Sequence, residues 1–276
     1  MTTMPEITLA TVGDTDVRGY DQGRGPVVLI VGPGLDDGTH TAKLAEILAP
    51  RFRVLRLHRR QYRLDLKATG ASCSVAQEVE DVLAVAHKAG PSVILYGHSS
   101  GGVVALEALA AAATETPALF VGAVIFEPAI VIGPPLGDRV VERARGEISA
   151  GKPRRAMAMF LDEVVGLPPW QARLAGAATS LIPRYGRLVP SQVDDLEALN
   201  DLGVRLGAYA GITVPTVLLG GDRSPAHLAT RLDALEKVLP HAQRVVLHGR
   251  DHAADATAPR EVARVIQTLA DRVPHA

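Results

Sequence analysis

The sequence predicts an α/β domain: a mostly parallel, twisted β-sheet flanked by helices, with a helical insertion late in the chain. Short continuous runs of Val, Ile and Leu recur along the chain, and such runs are typical of strands buried on both faces of a parallel sheet. Helical patterns separate the runs, and this alternation of strand and helix indicates a sheet with helices on both faces. One long segment interrupts the alternation and predicts the insertion.

Six apolar runs are predicted to be the strands of the parallel sheet. Most of them end at glycine, proline or a polar residue, as expected where a strand gives way to a functional loop. The runs are Pro26–Val31, Phe52–Leu57, Ser92–Tyr96, Leu119–Phe126, Thr216–Leu219 and Arg244–Leu247. Before them, residues Ile7–Tyr20 are predicted to form an antiparallel hairpin with its turn near Gly13 and Asp14.

In five segments between the runs, apolar residues recur about every 3.6 residues, the period of an α-helix, and the segments contain good helix formers. They are Thr41–Leu48, Val75–Ala89, Gly101–Ala113, Ala226–Leu239 and Pro259–Arg272. Residues 132–209 contain no strand-like run, and prolines divide them into short helical patterns. Because structureless loops of this length are uncommon, we predict a helical cap at 132–209 over a core built from 1–131 and 210–276.

Composition excludes several classes of protein. The chain has 276 residues, of which 47% are hydrophobic and 21% charged, so a folded globular domain is expected. Lys plus Arg is 29 against 30 for Asp plus Glu, which lacks the basic excess that nucleic-acid binding requires. The single cysteine, Cys73, permits neither an intramolecular disulfide nor a cysteine-rich zinc site.

Other sequence patterns restrict the expected cellular location of the protein and the kinds of ligand it can bind. Glu6, Asp14 and Asp16 interrupt the N-terminal apolar residues, so no signal peptide is expected, and the apolar runs are shorter than the roughly 20 residues of a membrane span. A soluble, cytoplasmic protein is therefore expected. We find no metal-ligand spacing and no phosphate-binding glycine motif, so we expect a small-molecule substrate and no cofactor. The sequence does not indicate the oligomeric state.

The pentapeptide Gly97-His98-Ser99-Ser100-Gly101 lies between a predicted strand and a predicted helix. This G-x-S-x-G pattern in a strand–turn–helix context predicts a nucleophile elbow, in which small neighbours tolerate a strained serine. The Ser99 hydroxyl would then point out above the sheet as a nucleophile. The N–H of Ser100, at the N-terminus of the helix, is the predicted donor to an oxyanion.

The order of runs, the elbow and the late insertion resemble the α/β-hydrolase fold family over essentially the whole chain, in particular its capped, serine-nucleophile branch of esterases, lactonases and thioesterases. The resemblance implies the chain order nucleophile, acid, histidine. It implies that Asp222, in the loop Gly220–Pro225, is the acid; Glu127, which follows the strand ending at Phe126, is the alternative that some members use.

The same resemblance implies that the catalytic histidine is His252, in the loop 248–254. His248 and Asp251 are expected at the rim of the site. In this triad His252 takes the proton of Ser99, while Asp222 fixes the tautomer of His252 and stabilises the imidazolium.

Two loops depart from the family pattern. Relatives commonly have His-Gly after the first parallel strand, but this chain has Val31-Gly32-Pro33-Gly34-Leu35, and Pro33 has no N–H to donate. We predict that Gly34 is the second oxyanion donor, with Leu35 as the alternative. Loss of one donor costs on the order of 100- to 1000-fold in rate.

The loop 58–65 lacks the glycines that relatives have and contains Arg59, Arg60 and Arg63 instead. One interpretation is a solvated basic loop. The other is that one of these arginines pairs with an anionic substrate, because guanidinium groups match carboxylates in geometry.

The insertion carries Met157, Phe160 and Trp170, which are predicted to contact substrate beneath the cap. We therefore expect a medium-sized, largely apolar substrate. The predicted function is hydrolysis of a carboxylic ester, lactone or thioester through an acyl-enzyme on Ser99. One alternative is a non-hydrolytic relative (a lyase, cyclase or acyltransferase of secondary metabolism) that uses the same serine and histidine. Another is a catalytically silent ligand-binding protein.

Overall fold

The computed structural model describes residues 4–68, 73–116 and 118–274, apart from the side chains of 179–181. In this part of the chain eight strands form one sheet in the order β1-β2-β4-β3-β5-β6-β7-β8. The strands are β1 (Ile7–Val12), β2 (Thr15–Gln22), β3 (Val27–Val31), β4 (Arg53–Leu57), β5 (Val93–His98), β6 (Phe120–Phe126), β7 (Thr216–Gly221) and β8 (Ala242–Leu247).

Strands β3 to β8 pair in parallel, whereas β1 and β2 form an antiparallel hairpin that joins the sheet at β4. All six residues of β5 are buried, as expected for a central strand covered on both faces. The predicted fold class is confirmed. Because the parallel strands share one direction, the loops after β3, β5, β6, β7 and β8 meet at one edge of the sheet.

Helices cover both faces of this sheet. Those described are α1 (Ala42–Leu48), α2 (Leu64–Ala68), α3 (Val75–Ala89), α4 (Ser99–Glu115), α5 (Val140–Ser149), α6 (Pro153–Glu163), α7 (Pro169–Leu181), α8 (Pro183–Leu202), α9 (Leu206–Tyr209), α10 (Ala226–Glu236), α11 (Ala254–Thr257) and α12 (Pro259–Ala270), with a 3-10 turn at Arg60–Tyr62. One apolar cluster joins α3, α4 and α10 to the sheet, and a second joins α1 and α12. None of the described helices combines the length and apolarity that a membrane span needs.

Helices α5 to α9 all lie between β6 and β7 in the chain. Among them, α8 contacts both α4 and the 3-10 turn, so the insertion packs onto the core at the edge where β5 ends. A parallel bridge between Val131 and Val204 closes the base of the insertion. The segment therefore returns to the sheet close to where it left.

Candidate active site

The elbow lies where β5 ends at His98 and α4 begins at Ser99. Ser99 has a φ of 53°, a left-handed conformation that is uncommon for residues other than glycine. The turn is also crowded: a Cβ on Gly101 would lie 2.1 Å from the carbonyl oxygen of Gly32, and one on Gly97 would lie 2.6 Å from Cβ of Ala105. Close packing of helix on strand thus requires these glycines and leaves Ser99 facing an open cavity.

His252 follows β8 and lines the same cavity as Ser99. Its Nδ1 lies 2.7 Å from Oε2 of Glu127. Among the described residues the Ser99 hydroxyl makes no direct hydrogen bond to this ring; such contacts are commonly long before substrate binds. The structure therefore brings together Ser99, His252 and a carboxylate, and that carboxylate belongs to Glu127.

Glu127 is the first residue after β6 and is 1% exposed. Its φ of 40° is again left-handed, which turns the side chain back toward the loop after β8. Its Oε1 accepts a hydrogen bond from the Gly221 N–H at 2.8 Å. Burial alone would raise the pKa of Glu127, but the hydrogen bonds from His252 and Gly221 hold it below its ordinary value of 4.5. The site therefore contains a buried, ionised carboxylate.

Asp222, the acid expected from the sequence, does not occupy this position. It is exposed, its Oδ2 lies 3.0 Å from Nδ1 of His248, and its Oδ1 accepts the Gly249 N–H at 2.7 Å. The backbone explains the difference: Gly221 pairs with Leu247 across β7 and β8, so Asp222 lies beside the turn that follows β8 and braces that turn. The pairing predicted for Asp222 is made by Glu127.

The ionisation of Glu127 has a consequence for stability. Since its folded-state pKa is lowered, the unfolded chain takes up a proton at a higher pH than the folded protein, so this stabilisation is present above about pH 4.5. It is lost as the pH falls through the folded-state pKa. We expect the advantage of wild type over Glu127→Gln in urea denaturation to be full at pH 5 to 6 and to shrink at lower pH. A difference that grows below pH 4.5 would contradict the assignment.

The predicted oxyanion residues also lie at the cavity. Ser100 is buried, and its Oγ accepts a hydrogen bond from Nη1 of Arg59 at 2.6 Å. Gly34 lines the cavity, and a Cβ there would lie 2.1 Å from Oε1 of Gln192 on α8. Leu35 has a φ of 59°, so the loop after β3 turns sharply at this point. An insertion helix thus lies directly over the loop that carries the predicted second donor.

Arg59 is neither solvated nor available to substrate. It is 2% exposed and makes paired hydrogen bonds to Glu78 on α3 (3.1 and 2.6 Å) and to Asp195 on α8 (3.3 and 2.9 Å). Tyr62 donates to the same Asp195 at 2.7 Å. Both interpretations of this loop are therefore wrong for Arg59, which joins the core to the insertion. The partners lie 19 and 136 residues away in the chain, so local sequence gave no signal for them.

The side chains of the two neighbouring arginines also form ion pairs. Arg60 pairs with Asp81 at 2.9 and 2.5 Å, and Arg63 pairs with Asp65 at 3.1 and 2.5 Å. Neither lines the cavity at Ser99. The arginines of this loop are structural in the described part of the chain, and the anionic-substrate hypothesis fails for all three.

A second carboxylate–histidine cluster lies next to the elbow. Asp255 is fully buried and lies 2.7 Å from Nδ1 of His98 and 3.1 Å from Nε2 of His40. The ligand atoms of the three residues lie within 4.8 Å of one another, a spacing that a metal ion could use and that the sequence did not reveal. The rings already hydrogen-bond to the carboxylate, however, and this accounts for the cluster as a brace between the residue before Ser99 and the loop after β3.

The cavity at Ser99 has a volume of about 700 Å³ and a mainly apolar lining. The cap contributes Met157, Phe160, Leu161, Val164, Val165, Leu167, Leu196 and Leu199. Two of the residues predicted to face substrate, Met157 and Phe160, are among them.

Trp170 is not among the residues that line this cavity in the described part of the chain. It is 63% exposed, as is Leu174 at 64%. Residues four apart lie on one face of a helix, so both point outward from α7, while Gln171 faces the cavity. The prediction that Trp170 contacts substrate is not met by this geometry.

Comparisons with known proteins agree with this architecture. The model of a family described as the alpha/beta hydrolase family matches residues 19–265. No curated protein matches the sequence significantly.

Three solved structures illustrate the similarity. An alpha/beta hydrolase from Sphaerobacter thermophilus DSM 20745 is 26% identical with a TM-score of 0.80, covering 95% of this chain and 99% of that one. A thermophilic esterase from Thermogutta terrifontis is 18% identical with a TM-score of 0.68, covering 97% and 98%. Est816, described as an N-acyl homoserine lactone degrading enzyme, is 16% identical with a TM-score of 0.67, covering 96% and 99%.

The last two similarities, below 25% identity, concern the fold alone. The family match, by contrast, spans the sheet from β2, the elbow, the insertion and the loop that carries His252. By this match the chain belongs to the alpha/beta hydrolase family.

Proposed function

We propose that the protein hydrolyses a carboxylic ester, lactone or thioester through an acyl-enzyme on Ser99. One observation carries the proposal: a histidine held by a buried, ionised carboxylate lines the same cavity as a serine in a strained elbow. This combination is what nucleophilic catalysis by serine needs, because the hydroxyl is a weak nucleophile without an adjacent base.

In the proposed reaction Oγ of Ser99 attacks the carbonyl carbon while His252 accepts the hydroxyl proton. Glu127 stabilises the resulting imidazolium and keeps its Nε2 directed toward the serine. The oxyanion is stabilised by the Ser100 N–H and by the N–H of Gly34 or Leu35. Collapse expels the alcohol or thiol, which takes the proton from His252. Water then attacks the acyl-enzyme with His252 as the base, and the acid is released with Ser99 restored.

The lining of the cavity supports an acyl substrate of medium size. About 700 Å³ bounded mainly by Leu, Val, Met and Phe side chains suits an apolar chain or ring, because burial of apolar surface supplies the binding energy. The similar structures described as an esterase and as a lactone-degrading enzyme are consistent with a carboxylic ester or lactone. We propose water-soluble small molecules rather than a macromolecular partner as substrates.

One observation favours a second candidate. The loop after β3 has Pro33 where relatives commonly have a donor, and Gln192 closes over Gly34, which leaves less room for a conventional second oxyanion donor. A lyase, cyclase or acyltransferase would use Ser99 and His252 to move protons or an acyl group with less dependence on that donor. The test below separates the two candidates.

The first test is replacement of the nucleophile. We expect Ser99→Ala to lower kcat for a p-nitrophenyl ester by at least about 10⁴-fold, because the acyl-enzyme cannot form, and to abolish labelling by a fluorophosphonate probe. Ser149→Ala, an exposed serine at the end of α5, is the matched control and should retain both.

Each outcome of that test decides between candidates. Labelling of Ser99 in wild type together with ester turnover supports the hydrolase. Labelling without turnover of any ester favours the non-hydrolytic candidate. If the probe reacts equally with wild type and Ser99→Ala, the proposed role of Ser99 is wrong.

A further inference from the structure

Arg231 differs from every other arginine that the structure describes. Eight described arginines have neither a hydrogen-bond nor an ion-pair partner for the side chain: Arg24, Arg154, Arg173, Arg187, Arg223, Arg231, Arg260 and Arg264. Seven of them are exposed, so solvent can hydrate their guanidinium groups. Arg231, on α10, is half-buried. Its guanidinium therefore holds five donors in a partly dry setting with no protein acceptor.

An unpaired guanidinium in such a place costs free energy. Removing a charge from water is unfavourable unless another charge or strong acceptors replace the water. Burial lowers the pKa of Arg231 to about 10, and no carboxylate among the described residues offsets this effect. Among the other buried arginines that the structure describes, Arg59 is paired with Glu78 and Asp195. In the described part of the chain Arg56 has no carboxylate partner and its Nε has no acceptor, but it donates to the carbonyl oxygen of Gly38 and to Oε1 of Gln22. Arg231 has no such acceptor among the described residues.

Arg231 lines the cavity at Ser99. His252 and Arg223 line the same cavity, whereas the cap residues that line it are mainly apolar, with Gln171 and Gln192 as the polar ones. One acidic residue, Asp251, also lines the cavity; it is exposed, and its Oδ1 accepts the Ala253 N–H at 3.0 Å. The α10 side of the cavity therefore presents a positive group to whatever occupies it.

We infer that the substrate is an ester, lactone or thioester that also carries a carboxylate, and that Arg231 binds this carboxylate while the acyl carbon lies at Ser99. A carboxylate is favoured because the planar fork of one guanidinium matches its two oxygens. The apolar cap then contacts the chain between the two polar ends of the substrate. Arg231 acts as a specificity residue. This inference rests on the proposed hydrolysis and adds the substrate class to it.

The test compares esters that differ only in the carboxylate. On the acyl side, mono-p-nitrophenyl esters of dicarboxylic acids of six to ten carbons are compared with their ω-methyl esters. On the alcohol side, 4-acetoxybenzoate is compared with its methyl ester. In the best-fitting pair we expect the kcat/KM of wild type to be at least about 10-fold higher for the acid than for its methyl ester. The difference should lie mainly in KM, because the contact between the carboxylate and Arg231 contributes to binding.

Variants assign the effect to Arg231. Arg231→Gln should remove the preference for the acid and leave kcat/KM for the neutral ester within about threefold, which also shows that the variant folds. Arg231→Lys should restore part of the preference, because it keeps the charge but not the fork. Arg264→Gln, an exposed and unpartnered arginine on α12, should behave as wild type.

Failure of this inference can be told from failure of the proposed hydrolysis. If wild type hydrolyses the neutral esters through Ser99 but shows no preference for acids at any length on either side, the inference is overturned and the hydrolase stands. If no ester is turned over, binding of adipate and of 1,6-hexanediol is measured by calorimetry on wild type and Arg231→Gln. Binding of adipate that Arg231→Gln loses supports the inference; equal binding to both proteins, or none, overturns it.

Discussion

Replacement of Glu127 by glutamine is expected to lower kcat for an ester about 10⁴-fold, the loss found when the acid of a Ser-His-Asp triad becomes an amide. The carboxylate of Glu127 accepts from Nδ1 of His252 at 2.7 Å and is 1% exposed. An amide in its place can donate to Nδ1, which would put the ring proton on Nε2, where it must instead accept the proton of Ser99. The imidazolium would also lose its negative partner.

Asp222→Asn is the matched control for this prediction. Asp222 is exposed and braces the turn at His248 and Gly249, so we expect a change in kcat of less than about threefold. Steady-state kinetics on one p-nitrophenyl ester, with thermal denaturation of each variant, provide the measurement. If Asp222→Asn were the more damaging of the two, the acid would have to be Asp222 and the loop after β8 would have to rearrange during turnover.

In the structure Glu127, and not Asp222, pairs with His252. This difference shows which features of a site can be predicted from the sequence. Both residues follow parallel strands that end at the same edge of the sheet, so both fit the chain order of the family. What separates them is the backbone after the strand: a left-handed residue at Glu127 turns its side chain toward His252, while Asp222 is held by the turn after β8. That rotation depends on the packing of neighbouring loops and leaves no local pattern.

The positions of Ser99 and His252 in the site could be predicted because the signals for them are local in the sequence. The position of Ser99 is marked by glycines that the close packing of α4 on β3 and β5 requires, and this requirement is local in sequence. His252 follows the last apolar run directly. The strands themselves were predictable because burial on both faces demands continuous Val, Ile and Leu. Trp170 was mispredicted because hydrophobicity does not tell which face of α7 turns to the cavity.

The buried ion pairs of Arg59 could not be predicted from the sequence, and removal of the arginine is expected to cause a large loss of stability. We expect Arg59→Met to lower the free energy of unfolding by about 3–5 kcal/mol, because Glu78 and Asp195 would be left as buried charges without a counter-charge. Their side chains are 5% and 2% exposed, so water cannot replace the guanidinium. Urea denaturation measures the change, and Arg264→Met, at an exposed site, should remain within about 0.5 kcal/mol of wild type.

A combined variant separates this electrostatic cause from simple loss of packing. In Arg59→Met/Glu78→Gln/Asp195→Asn no buried charge remains, so most of the lost stability should return even though the arginine is absent. Activity should not return with it, because Ser100 still lacks the hydrogen bond from Nη1 of Arg59, and the ion pair between Arg59 and residue 195 that joins the loop after β4 to α8 is absent. Equal destabilisation of the single and triple variants would instead mean that the lost hydrogen bonds and contacts of the guanidinium, and not the uncompensated charges of Glu78 and Asp195, cause the loss of stability.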